Sequence, residues 1–505
     1  MKRHNFRKAL MLLALAGLCV SMTYAEPDQK LAQLKAKAVS SVDTLRLPKI
    51  LGSNMVLQRN SRIKIWGWGK VGSTVSVKGS WLDQSETGKV GKDGSWNLFL
   101  QSAGAGGPHQ IQITDSVSNV VLDNILFGEV WIASGQSNME MPVGKVSRVY
   151  KGVIDYENEL KNSAHPEIRL FQVGNFSSKD PLDDVENGIS MFKVPVSKST
   201  WSSCTPRSVK TFSAPAYFFA REIHRELQVP VGIIDASWGA TLAEAWTPLE
   251  TLKELGYTKA VNKANAAQQN PASRIPSRLY NGMIHPLASL KIRGVIWYQG
   301  EGNTGRAAGK YKTLFTAMIE SWRQQFGYEF PFYFAQIAPC KSYGKKESAY
   351  LREAQFQSLE LSKTGMVGTM DISTVGDIHP PNKQDVGRRF ALLALKNDYG
   401  KSVVSMGPRY KSFKIDGNKI SIQFEESESP LATRDGKTPS HFLVAGEDEV
   451  FHAATEVVMK DAEVVVHSEK VSAPKAVRFA FDNISVSNLM NQQGLPAFSF
   501  RTDRW

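Results

Sequence analysis

The chain has 505 residues, 42% of them hydrophobic and 22% charged, with a formal net charge of +13. At roughly 100 to 200 residues per domain it holds two or three domains, and the composition is that of a chain able to bury a core, which excludes one that is mainly disordered. The Lys and Arg residues are dispersed, without a basic run or an interleaved aromatic platform, so the balance argues for a solvated surface attractive to acidic glycans and against a nucleic-acid partner.

Lys2, Arg3, Arg7 and Lys8 precede an apolar run from Ala9 to Met22, and Thr23-Tyr24-Ala25 stands before Glu26. This layout predicts a secretory signal peptide over residues 1–25, since the run is shorter than the roughly 20 residues that cross a bilayer. A lipoprotein reading fails at Leu18, where a small residue should precede Cys19. The expected destination is periplasmic or extracellular, without stable membrane insertion, and loss of the leader leaves a net charge of about +9. Only Cys204 and Cys340 then remain, with no zinc-type spacing. A single disulfide between them is compatible with an oxidising compartment.

From residue 45 to 124 short alternating segments are separated by Gly and Asp turns: Met55–Gln58, Ile63–Trp68, Thr74–Val77, Ser95–Leu98 and His109–Ile113. They predict an N-terminal β-sandwich. The pattern changes at Ile125, where Phe127–Ala133 reads as a buried strand ending in Ser134-Gly135-Gln136-Ser137-Asn138. Ala216, Phe219, Ala220, Ile223 and Leu227 fall at helical spacing before a strand at Pro230–Ala236. A strand at Ile292–Tyr298, a helix over Tyr311–Phe326 and a strand at Phe332–Ile337 repeat the alternation. A last helix starts near Lys383 and stops at Asn397-Asp398-Tyr399-Gly400. Residues 125–400 are thus expected to form a doubly wound α/β domain with a parallel sheet. Strands return over 401–505, at Lys419–Phe424, Glu463–His467 and Ala476–Phe481, as a second flanking β region.

Ligands of open α/β sheets bind beyond the carboxyl ends of the strands, so the loops after the apolar runs are where chemistry is sought. In Gly135-Gln136-Ser137-Asn138-Met139 a serine follows a buried strand, which makes it a candidate nucleophile or an ordinary helix cap. Met139 excludes the G-x-S-x-G elbow. Asp377-Ile378-His379-Pro380-Pro381 places a histidine, the side chain that titrates near working pH, before the last helix; taken alone it reads as a stiffened surface turn sooner than as a general base. Trp297-Tyr298-Gln299-Gly300-Glu301-Gly302-Asn303 offers amide donors for an oxyanion, or a polar turn satisfying strand ends. Ser237-Trp238-Gly239-Ala240-Thr241 offers a backbone N–H at a glycine, or a plain turn.

Together these loops, with Met55–Gln58, Trp66-Gly67-Trp68, Gly128-Glu129-Val130-Trp131, Ala216–Phe219, Glu244-Ala245-Trp246 and Tyr280-Asn281-Gly282-Met283, resemble the SGNH hydrolase superfamily and within it the sialate O-acetylesterase family. The resemblance spans nearly the whole chain after the leader. It implies an SGNH-type sheet and a serine esterase acting on O-acetylated sugars. Ser137 is then the nucleophile, His379 the base, and the oxyanion donors are the Ser137 and Gly239 N–H groups with Gln299, Asn303 standing next. Gln136, Trp238 and Glu301 are the expected substrate contacts, with Trp246 and Trp297 as further stacking surface. The superfamily usually places an acid three residues before the histidine, where this chain has Gly376. Asp377, Asp371 or a backbone carbonyl is left to orient the imidazole.

The implied reaction needs no cofactor and no metal: an acetyl-serine forms and water hydrolyses it. Each oxyanion donor is worth roughly 2.7 to 4 kcal/mol in other hydrolases. The substrate implied is an O-acetylated sialic acid or glycan, with acetylxylan as the related alternative. A noncatalytic glycan-binding protein is the alternative of another class. A zinc deacetylase lacks HExxH, and nucleotide binding lacks a P-loop.

Overall fold

The alternating segments of residues 45–124 fold into two facing β layers in the computed structural model. The structure describes residues 44–505 except 147–149, 190–194, 197–198, 267–273, 306–307, 345–347 and 426–428. The signal peptide expected over 1–25 lies outside the described residues. The first strands are β1 (Val56–Gln58), β2 (Arg62–Trp68), β3 (Thr74–Gly79), β4 (Glu86–Lys89), β5 (Ser95–Gln101), β6 (Gly106–Thr114) and β7 (Asn119–Gly135). Strand β2 pairs with β5 in one layer, and β4, β3, β6 and the start of β7 make the other. Inward residues Ile63, Ile65, Leu98 and Leu100 meet Val75, Val77, Ile111 and Ile113 in one core. Burying each such side chain contributes about 1.5–3 kcal/mol. Strand β4 escapes the sequence reading because Glu86–Lys89 has no buried position at all.

Strand β7 crosses the expected boundary at 124/125 without a linker. Asn124 sits there with a left-handed φ of 56°, where the β6–β7 register shifts. A bulge bends a strand and re-aims the residues beyond it, so the two regions meet at a bend within one strand.

Beyond it, β7 is the central strand of a second sheet with β8 (His165–Gln172), β9 (Ser202–Cys204), β10 (Val231–Ser237), β11 (Gly294–Tyr298), β12 (Phe332–Ala335) and β13 (Thr364–Val367). The order is β9-β8-β10-β7-β11-β12-β13, parallel throughout except for β9. Strands β10, β11 and β12 are buried at every position, which is why they read as unbroken apolar runs. Winding runs outward from β7 in both directions, so a topological switch point lies at its carboxyl end, between β10 and β11.

The helices that matter for the site are α1 (Ser137–Glu140), α2 (Ala214–Leu227), α3 (Ala308–Phe326), α4 (Ser348–Gln357) and α5 (Lys383–Asn397). Helices α2 and α5 cover one face, packing Phe218, Phe219, Val386 and Phe390 with Trp131 and Tyr333. Helices α3 and α4 cover the other, with Phe315, Trp322 and Leu351 against Trp297 and Phe334. A Cβ on Gly387 would lie 2.5 Å from the Cβ of Phe218, so glycine is what lets α5 approach α2 so closely.

Two four-stranded antiparallel sheets after Gly400 close around Ile420, Ile422, Val444, Val464, Val477 and Phe479. Cys204 and Cys340 are both free and buried, which corrects the disulfide considered from sequence. Cys204 ends edge strand β9 and Cys340 follows β12, five strand positions away. At about 4.8 Å per position that is about 24 Å, far beyond the reach of an S–S bond. No helix among the described residues is long and apolar enough to cross a membrane.

Candidate active site

Gly135 ends β7 with φ at +137°, and a Cβ there would stand 2.2 Å from the Tyr298 carbonyl oxygen. Only glycine fits this approach of β7 to β11. The next residue, Gln136, donates its backbone N–H to Tyr298 O at 2.9 Å, and the chain turns into α1. That turn sets Ser137 at the switch point, 5% exposed, with its own N–H among the donors a helix start leaves open.

His379 lies in the loop between β13 and α5, and its Nε2 is 2.9 Å from Ser137 Oγ. Burial and the neighbouring Lys383 hold the imidazole pKa below its ordinary value, with Asp377 pulling weakly the other way. A depressed pKa keeps the ring neutral, and so able to take a proton, at neutral pH. Asp377 Oδ1 is 3.7 Å from His379 Nδ1, and the carboxylate is 61% exposed. It accepts instead from the backbone N–H of His379 at 2.9 Å. Asp371 is taken by Arg389, at 2.8 and 2.6 Å. Asp377 is therefore the acid beside the ring, outside hydrogen-bond range of Nδ1.

Behind this pair runs a buried polar chain that sequence reasoning missed. Asn138 donates its amide to Glu301 Oε1 at 2.5 Å and to the Ile378 carbonyl at 3.0 Å, and accepts from Lys383 Nζ at 2.6 Å. One side chain thus ties the serine turn to the β11 loop, the histidine loop and α5. Lys383 is fully buried, and burial lowers its pKa to about 7 against the opposing pull of Glu301 and Asp377. Burial also raises the Glu301 pKa, and Glu301 Oε2 has no hydrogen-bond partner among the described residues. A legible signal existed: Lys383 opens α5, where a cation opposes the helix macrodipole.

Each of the other donors read from the sequence holds a partner within the scaffold. Gly239 N–H donates to Glu140 Oε2 at 2.6 Å. Gln299 Nε2 donates to Asn303 Oδ1 at 2.7 Å and to Thr241 O at 3.2 Å, and Tyr311 donates to Gln299 Oε1 at 2.8 Å. Asn303 Nδ2 donates to Glu244 at 2.9 Å. Buried amides must satisfy their hydrogens, and here the scaffold does so. Gln136 is likewise a clamp, its Oε1 accepting from Gly300 and Gly302 N–H at 3.3 and 3.1 Å. Glu301 is buried and bonded to Asn138. Trp246 and Trp297 are fully buried, edge to face at 5.9 Å, so they form core and not sugar surface. Trp238 is half-buried at the rim.

Residues 128–396 match the family described as carbohydrate esterase, sialic acid-specific acetylesterase. The chain belongs to that family. The esterase is 30% identical over 449 residues to the sialate O-acetylesterase of Mus musculus, covering 78% of this chain and 81% of that one. Against the Homo sapiens sialate O-acetylesterase the identity is 29% over 405 residues, with 74% and 75% covered. Among solved structures, a carbohydrate acetylesterase from Xanthomonas citri is 34% identical with a TM-score of 0.82, covering 92% of this chain and all of that one. The esterase is therefore a carboxylic ester hydrolase on the α/β fold with flanking β regions that its sequence implied.

Proposed function

We propose that the esterase hydrolyses O-acetyl esters of sialic acids through an acetyl-enzyme formed on Ser137. The observation that carries the mechanism is the 2.9 Å contact between His379 Nε2 and Ser137 Oγ at the switch point of the sheet. His379 takes the hydroxyl proton as Oγ attacks the acetyl carbonyl, and charge develops on the carbonyl oxygen beside the Ser137 N–H. The C–O bond to the sugar breaks, and the sugar oxygen leaves with the proton held by His379. Water, activated by the same nitrogen, then attacks the acetyl group, giving acetate and the free serine.

The names of the Mus musculus and Homo sapiens relatives support the choice of sialic acid. The Xanthomonas citri relative carries a broader name, which keeps acetylated plant polysaccharide as the competing substrate. The test measures acetate release from O-acetylated sialic acid and from acetylated xylan by the wild type, Ser137→Ala and His379→Ala, with folding checked by circular dichroism. Preference for sialic acid, lost in both variants, is expected. Preference for xylan, or full activity in Ser137→Ala, overturns the reading.

A further inference from the structure

We infer that Arg274 binds the carboxylate of an acidic sugar substrate and sets the preference of the esterase for acidic over neutral acetylated sugars. The inference rests on the sialate reading above. It starts from the loop that leaves β10 beside the nucleophile, where Trp238 N–H donates to Gly135 O at 3.0 Å and Gly239 N–H reaches Glu140 at 2.6 Å. The next residue, Ala240, is exposed and left-handed with φ of 60°. Its carbonyl oxygen accepts from Arg274 Nε at 2.8 Å. The guanidinium is thereby fixed one residue past Gly239, at the same end of the sheet as Ser137. A left-handed alanine is strained backbone of the kind that gathers at ligand clamps, and here the strained residue is the one that holds the arginine.

Arg274 is exposed, and among the described residues it makes no ion pair and no hydrogen bond from Nη1 or Nη2. Residues 267–273, which precede it, contain no Asp or Glu. Several less exposed arginines of the molecule are engaged by carboxylates instead. Arg59 holds Glu129, Arg221 holds Glu159, Arg389 holds Asp371 and Arg478 holds Asp503, at 2.7, 2.5, 2.6 and 2.5 Å. An arginine anchored through Nε presents its outer edge in a fixed plane, the geometry that pairs with a carboxylate through two parallel bonds. A sialic acid carries its carboxylate on the same molecule as the acetyl ester, so the cation that reads it must stand beside the nucleophile without touching it. A neutral acetylated xylan has nothing to offer that edge.

The test compares kcat/KM for an O-acetylated sialic acid with that for its carboxyl methyl ester, in the wild type, Arg274→Gln and Arg274→Lys. The wild type is expected to favour the free acid, and Arg274→Gln to lower that ratio by about tenfold to a hundredfold through KM, the value of one charge-assisted pair. Arg274→Lys keeps the charge without the planar fork and should fall between. A ratio in Arg274→Gln equal to that of the wild type overturns the assignment, as does a wild type indifferent to methylation; in either case the sialate reading stands if acetate is still released. If the wild type deacetylates xylan and leaves sialic acid untouched, the sialate reading fails and this inference with it.

Discussion

At the amino end of the central sheet, Glu129 is 2% exposed and saturated with partners. Gln58, Arg59 and Tyr399 donate to its carboxylate at 3.1, 2.7 and 3.0 Å, and Arg293 stands 3.9 Å away. At the carboxyl end, Glu301 is 7% exposed, yet one of its oxygens has no hydrogen-bond partner among the described residues, and the buried cation next to it, Lys383, is bonded to a neutral amide. A cleft of about 630 Å³ opens at the amino end, lined by Glu129, Lys291, Arg293 and Asp398, and none of its lining residues pairs a nucleophile with a base. The Glu129 carboxylate is held on both oxygens, whereas Glu301, behind Ser137 and His379, keeps one oxygen without a hydrogen-bond partner among the described residues, and a buried carboxylate left partly unpaired is sensitive to the charges beside it.

Removing the reacting pair should break the contrast most sharply. Ser137→Ala and His379→Ala are each expected to lower kcat on an activated acetyl ester by about ten-thousandfold or more, while the thermal midpoint barely moves. At the other end the pattern reverses. Truncating one partner of a buried ion pair typically costs about 3–5 kcal/mol, so Glu129→Ala should show its loss in the urea midpoint, and the folded fraction should keep near wild-type turnover. If Glu129→Ala instead abolished turnover in a folded protein, the division between the two ends would be wrong.

Lys383→Met probes the pH response. Taking a positive charge away from His379 raises the imidazole pKa, so the acid limb of the kcat/KM profile should move to higher pH. Stability responds as well. The Lys383 pKa is about 7 folded against an ordinary 10.5, so between those values the unfolded chain binds more protons and stability rises with pH. The wild type should gain resistance to urea from pH 7 to 9 relative to Lys383→Met, and parallel pH curves would contradict the burial of a charge-sensitive amine there. The smallest effect belongs to Asp377→Asn. An exposed carboxylate 3.7 Å from Nδ1 should matter by less than about tenfold in kcat/KM, far from the loss when a buried triad acid is replaced.

Much of this arrangement is legible before any coordinates. The apolar runs at Val231–Ser237 and Gly294–Tyr298 and the helical spacing from Ala216 to Leu227 place strands and helix in the right order. The motif loops around Ser137 and His379 fall after strands β7 and β13. The polar edge strand β4 was invisible because it buries nothing. Trp246 and Trp297 read as sugar platforms because a tryptophan looks the same in sequence whether it faces solvent or the core. Residue type says that Gln299 and Asn303 can donate, and the structure adds the partners they hold, Asn303 Oδ1 and Glu244.

By itself, then, the sequence determined the periodicities, hence a parallel sheet with helices on both faces, and the placement of serine and histidine loops at strand ends. Hydrophobic period is a local property, and it survives without knowledge of neighbours. Only the tertiary structure decided that the loop after β13 reaches back past β12 and β11 to bring His379 onto Ser137, that Asn138 and Lys383 lock that meeting from behind, and that Arg274 is anchored at the rim through Nε alone among the described residues. Contacts and hydrogen-bond directions depend on strand order and side-chain packing, which arise between segments far apart in the chain.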